Sequence, residues 1–344
     1  MKKVIKILAL MLAMVMLTAL FTGCGKEVAS QNENGKKLKI GISLPTQREE
    51  RWVLDKENFE KVAKELGVEV AIQIADNDAA KQQSQCENLI AQGIDVLILA
   101  PHDGKAAANI VTKAHEAGIK VVSYDRLALD CDLELYVTFD SLKIGEMQGE
   151  WLMSKVTKGN VVVLAGDPAD SCAVLYKKGA MNKIQPRVDS GDIKVVANQD
   201  VKDWQPSEAM KHMENALTAN GNDIQGVLAP NDGTAGAVIQ ALAQQGMAGS
   251  IPVTGQDAEV AAAKRILEGT QGMTVFNDIR DLGKAALEAA VKFAKGEAVA
   301  TENKEHNGKI DVPAIYMGPK LVDKDNLQKV LVDSGFMDKK ELEK

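Results

Sequence analysis

Short β-branched runs alternate with longer stretches whose apolar residues recur every three or four positions, and this alternation occurs twice in succession along the chain. The runs that read as strands are 38–44, 69–74, 96–100 and 121–124, then 161–165, 194–198, 226–229 and 253–255. Between them, 50–66, 79–92, 105–117, 206–219 and 234–245 carry the period of amphipathic helices, and Gly67, Gly93, Gly118 and Gly246 stand where such helices stop. Strands separated by helices cannot pair as hairpins, so this order predicts parallel sheets covered by helices, an α/β fold. One set ends near Phe139 and the next starts near Val161 with no Ser/Gly linker, which predicts two similar α/β domains.

The chain opens with Lys2, Lys3 and Lys6, followed by an uncharged run from Ile7 to Gly23, the layout of a secretory leader. The run is short for a membrane span. It ends in Phe21-Thr22-Gly23-Cys24, small residues before a cysteine, which predicts a lipoprotein signal peptide over 1–23 and a lipid attached at Cys24. Residues 24–37 are polar and aperiodic and read as a flexible tether.

About 300 residues then remain, more than a single core usually supports. Loss of the three leader lysines takes the formal charge from −7 to −10, which argues against a nucleic-acid partner. Cys86, Cys131 and Cys172 are odd in number and lack CxxC spacing, so a disulfide framework is not expected. His102, His115, His212 and His306 are scattered, and neither a metal nor a cofactor is predicted.

In open parallel sheets, ligands bind beyond the carboxyl ends of the strands. The polar and aromatic residues at those ends are Arg51-Trp52, His102-Asp103, Asp125-Arg126, Asp170, Trp204, Asn231-Asp232 and Gln256-Asp257. Carboxylate and amide oxygens accept from hydroxyls, guanidinium donates through a rigid fork, and indole offers a flat apolar face. Opposite charges in one set suit a net-neutral, polyhydroxylated ring. Asp103 and Asp232 also read as turn or cap residues, Asp257 equally as a cap for a helix from Ala258, and Trp151 as core.

From about Leu38 to Gly335 the chain resembles the periplasmic D-xylose-binding proteins of bacterial ABC importers. The resemblance is carried by Glu50-Arg51-Trp52, Ala100-Pro101, Tyr124-Asp125-Arg126, Phe139-Asp140, Val188-Asp189-Ser190-Gly191, Asn231-Asp232, Gly255-Gln256-Asp257-Ala258, Gly269-Thr270-Gln271 and Asp311-Val312-Pro313, and by the run Met213 to Asn220. It implies a type I periplasmic binding protein fold: two Rossmann-like lobes with parallel sheets, joined by a three-strand hinge. The implied lobes are 38–140 plus 279–306, and 141–278 plus 307–344. Carried over by position, it implies sugar contacts from Arg51, Asp125, Arg126, Asp170, Asn231 and Asp257, with Trp52 and Trp204 sandwiching the ring. Two positions depart from the family pattern: Cys172 stands for an Asn and Asn277 for a Lys, both candidates for sugar contact with altered identity.

The resemblance implies a monomeric receptor that is not an enzyme and whose partners are a monosaccharide and an ABC permease. A sensor subunit presenting the closed form to a membrane histidine kinase, or a receptor for a related sugar such as glucose, are the alternatives. A dehydrogenase is disfavoured because the loop after the first strand, Pro45-Thr46-Gln47-Arg48, lacks GxGxxG, and neither a P-loop nor a GxSxG elbow occurs. Asp125 and Asp257 are expected beside arginine and hence ionised, which denies them the roles of a glycosidase pair. The leader and the lack of a helix-turn-helix segment disfavour a repressor.

Overall fold

In the computed structural model, residues 36–343 are described; the leader, Cys24 and most of the tether lie outside them. The first half runs β1 (Lys39–Leu44), α1 (Glu50–Leu66), β2 (Glu69–Ile74), α2 (Ala79–Ala91), β3 (Val96–Leu99), α3 (Ala107–Glu116), β4 (Lys120–Tyr124) and β5 (Leu135–Phe139). The second runs α4 (Ser141–Lys155), β6 (Gly159–Ala165), α5 (Ser171–Asp189), β7 (Ile193–Asp200), α6 (Pro206–Ala219), β8 (Gly226–Leu228), α7 (Asp232–Gln244), α8 (Val260–Glu268) and β9 (Thr274–Phe276). The tail holds α9 (Ile279–Ala294), β10 (Asn303–His306), β11 (Asp311–Met317), β12 (Lys320–Val322) and α10 (Lys339–Leu342).

The first sheet has the order β10-β11-β5-β4-β3-β1-β2, parallel except for the β10–β11 edge. Its strands β3 and β5 are buried throughout, as the uninterrupted apolar runs require when helices cover both faces. One face packs on α1 and α9 through Phe59, Val62, Leu282 and Ala286, the other on α2 and α3 through Leu89, Ile110 and Ala114. The second sheet is β7-β6-β8, extended by a single bridge from Val227 to Val253, and it too is covered on both sides. The expected strand at 253–255 is thus reduced to one bridge.

The chain passes between lobes after β5, after β9 and after β11, and β9 pairs antiparallel with β12 in the second lobe. The assignment of 307–344 to the second lobe needs correction. β11 lies in register with β5, Ala314 opposite Tyr136 and Met317 opposite Phe139, so 311–317 belong to the first sheet. Pro313 precedes Ala314, the first residue of β11 paired with β5, so its missing N–H falls outside that ladder. After β12 a turn leads into a π-helical segment, Gln328–Val332.

Candidate functional site

The wall contributed by the first lobe starts at the N-terminus of α1. Arg51 and Asp55 are one turn apart on one helix face, and Arg51 donates to Asp55 Oδ2 through Nη2 at 2.8 Å and Nε at 3.1 Å. Its Nη1 reaches Asp125 Oδ1 at 2.7 Å. Tyr124 donates its hydroxyl to Asp55 Oδ1. Burial opposes the Arg51 charge, but Asp125 and Asp55 outweigh it and hold the guanidinium well above its ordinary pKa. Trp52, 1% exposed, lies 4.2 Å from the Arg51 guanidinium and 5.3 Å from that of Arg126, a double cation–π contact.

Asp125 follows the end of β4 with φ 61°, a left-handed backbone that costs energy outside glycine. Its carbonyl accepts from Tyr136 Oη and Thr138 Oγ1, each at 2.7 Å, and from Cys172 Sγ at 3.0 Å, while its N–H donates to Val137. Four bonds therefore hold the strained residue. Arg126 Nε is 2.8 Å from Asp170 Oδ2, but its N–H points off the line, so the contact is an ion pair without an aligned hydrogen bond.

The facing wall comes from the second lobe. Asp170 caps α5, accepting from Cys172 N at 2.8 Å, and its other oxygen accepts from Trp204 Nε1 at 3.2 Å. The Trp204 ring lies against Gly166, where a Cβ would come within 2.2 Å of it. Asn231, not Asp232, caps α7: its Oδ1 accepts from Thr234 N at 3.0 Å and Thr234 Oγ1 at 2.7 Å, which leaves the amide N–H₂ as donor. Asp232 is fully buried and ties the layer below, accepting from Gln271, Thr274 and the Glu259 backbone N–H. Asp257 does not cap a helix either, because α8 begins at Val260 with Glu259 in the cap position. It sits at φ 98°, next to Ala258 at φ 54°.

One cavity lies between the walls, and Arg51, Trp52, Asp125, Arg126, Asp170, Trp204, Asn231 and Asp257 all line it. Gln256, read at a strand end beside Asp257, lines it too, and so do Glu49 and Tyr176, which sequence reasoning did not single out. Tyr176 lies inside α5, which packs on α4 backbone to backbone at Gly145, where a Cβ would sit 2.0 Å from the Tyr176 carbonyl, and its hydroxyl accepts from Gln256 Nε2 at 3.2 Å. Glu49 stands two residues before Arg51 in the same loop after β1, a signal that was present.

Cys172 and Asn277 are not among the lining residues. The Cys172 thiol is spent on the Asp125 carbonyl, and burial pushes its pKa up to about 12. Asn277 is buried with both side-chain polar atoms unpartnered. His102 stands off the cavity, its Nε2 3.9 Å from Asp203 Oδ1, and Asp103 makes the expected turn to Lys105 and Ala106. Asp257 corrects an expectation: it forms no ion pair with arginine, and burial pushes its pKa up to about 6 against the pull of Arg51. Cys86, Cys131 and Cys172 are buried free thiols.

Between two α/β lobes, then, lies a closed cleft with paired arginines and carboxylates on one side and amide, carboxylate and indole groups on the other. The model of the periplasmic binding protein domain matches residues 40–298. The chain belongs to that family. It is 42% identical over 315 residues to the D-xylose-binding periplasmic protein of Haemophilus influenzae, covering 92% of this chain and 95% of that one. With the D-xylose-binding periplasmic protein of Escherichia coli it shares 43% over 309 residues, 90% and 94% of the two chains. A carbohydrate-transporter solute-binding protein of Chloroflexus aurantiacus, solved with D-glucose, superposes with a TM-score of 0.84 at 35% identity, over 88% of this chain and 98% of that one. The type I periplasmic binding protein fold is therefore established for this member of the family.

Proposed function

We propose that the chain is an extracytoplasmic receptor that encloses a neutral monosaccharide, D-xylose by preference, and delivers it unaltered to an ABC permease. The observation that carries the reading is the cleft itself: Asp125, Asp170 and Asp257 as acceptors, Arg51, Arg126 and Asn231 as donors, and Trp52 and Trp204 as flat faces, all on one cavity. Sugar hydroxyls each donate once and accept, so mixed donors and acceptors fit them where an ion would leave one sign unmatched. The names of the two periplasmic relatives, at 42% and 43% identity, support xylose.

Glucose is the second reading, favoured by the Chloroflexus neighbour and by a Clostridium phytofermentans protein solved with β-D-glucose at 32% identity and a TM-score of 0.81. The lobes touch directly in this closed arrangement, Gly104 N–H to Ala169 O at 3.0 Å and Leu127 N–H to Ser171 Oγ at 2.8 Å, so closure would present a surface composed of both lobes to a permease. Lipid at Cys24, outside the described residues, would keep the receptor at the membrane. Incorporation of labelled fatty acid that is lost in Cys24→Ala tests the anchor.

Calorimetric titration with D-xylose, D-glucose, D-ribose, L-arabinose and D-galactose tests the function. Micromolar or tighter binding of xylose, about −8 kcal/mol, is expected. Binding of glucose alone would replace the named sugar, and silence with all five would overturn the receptor reading.

A further inference from the structure

We infer that Glu49 is a ligand-contact residue of this cleft, whose carboxylate accepts a hydrogen bond from one hydroxyl of the bound pyranose and so sets which sugar is preferred. The inference rests on the receptor reading above and deepens it.

Glu49 is 9% exposed, lines the cavity, and has both carboxylate oxygens buried without a hydrogen-bond partner. Its position makes that lack informative. It is the residue before α1, with extended backbone at φ −78° and ψ 136°, where a short acidic side chain would accept an N–H of the first turn and a glutamate is long enough to reach past it. Here the side chain makes no such bond; only the backbone carbonyl is used, accepting from Trp52 N–H at 3.1 Å. The carboxylate has left the helix end for the cavity wall.

No ion pair compensates it among the described residues. Arg51 is committed to Asp55 and Asp125, and Arg126 to Asp170. A buried carboxylate without partners is costly, and native structures tolerate one where a ligand or water completes it. Burial accordingly raises its pKa, with Arg126 opposing. Gln256 Oε1, a second unpartnered acceptor on the same cavity, completes a pair of oxygens that await donors. A pyranose brings hydroxyl donors, and a hydrogen bond to a charged acceptor is among the stronger ones.

The test is calorimetry on the purified protein and its Glu49→Gln variant, with the best-bound sugar and each of its monodeoxy derivatives, alongside urea unfolding without sugar. Glutamine keeps the shape and one acceptor while removing the charge. Expected are a loss of about tenfold or more for the parent sugar, less than about twofold for one monodeoxy derivative, and an unliganded urea midpoint that is unchanged or higher. Unchanged affinity for the parent sugar overturns the inference. So does an equal loss for every derivative, which would mean that Glu49 acts on the shape of the cleft. Absence of binding by the wild type overturns the receptor reading itself and this inference with it, an outcome distinct from the other two.

Discussion

The two walls of the cleft are built on opposite principles. On the first lobe, Arg51, Asp55, Asp125 and Tyr124 form a closed network in which each charge has its partner before any ligand arrives. On the second, Asn231 is half used by its cap, Gln256 keeps one oxygen unpartnered, and Asp257 is met by the Gln256 amide at a long 3.4 Å. Apart from Glu49, whose carboxylate stands outside that network, the first wall is preorganised and belongs to the stability of its lobe. The other holds polar groups in reserve, and its completion belongs to binding. Strained backbone serves both: Asp125 and Asp257 each present a side chain from a positive-φ position at a strand end, where the chain leaves the sheet and turns toward the cleft.

If that contrast is right, damage to the first wall costs fold and function together. Arg51→Met should destabilise the protein by about 3–5 kcal/mol, because it strands two buried carboxylates, and should abolish detectable sugar binding. Urea unfolding and calorimetry read the two effects. A stable Arg51→Met protein would break the comparison at its strongest point.

Damage to the second wall should separate them. Asp257→Asn is expected to weaken binding by about 2 kcal/mol, roughly thirtyfold, while leaving the unliganded protein as stable or more so. A parallel loss of stability would show that Asp257 is structural.

Acidification sharpens the same point through opposite signs. The folded pKa of Asp257, about 6, lies above the ordinary 3.8, so the folded state binds the proton more tightly than the unfolded one. This group's contribution to unliganded stability is therefore fully favourable at low pH and falls as pH rises from about 4 to about 6, by up to about 3 kcal/mol. The difference in unfolding free energy between wild type and Asp257→Asn, measured across that range, isolates it. Sugar affinity should move the other way and weaken below about pH 6, because the ionised carboxylate is the better acceptor for a hydroxyl. Affinity that strengthens on acidification would make Asp257 a donor.

The smallest effect is expected at the seam between the walls. Cys172→Ala removes one of three donors on the Asp125 carbonyl, a bond that crosses from one lobe to the other, and should cost affinity about 0.5–1.5 kcal/mol. A loss of more than about tenfold would mean that the thiol matters to the sugar directly.

Much of this site was legible at the level of position. Reading the carboxyl ends of the strands brought Arg51, Asp125, Asp170, Asn231 and Asp257 together before any geometry, because the parallel order of strands and helices leaves no other place for polar loop residues to converge. Roles were less legible. Asn231 rather than Asp232 took the cap, since the capping box needs Thr234 three residues on from it. The position of β11 was misassigned because a strand's partners are set by long-range pairing, here with β5, some 175 residues earlier in the chain.

By itself the sequence determined the α/β alternation, the glycine helix stops, and the set of polar groups at the strand ends, because hydrophobic period and turn chemistry act between near neighbours. Only the tertiary structure decided that Arg51 is fully paired while Asp257 is not, that Cys172 faces a carbonyl, and that Glu49 turns into the cleft. Burial and ion pairing depend on what distant parts of the chain bring within a few ångströms, Asp125 to Arg51 inside one lobe and Cys172 to Asp125 across the cleft, and that is a property of the folded chain.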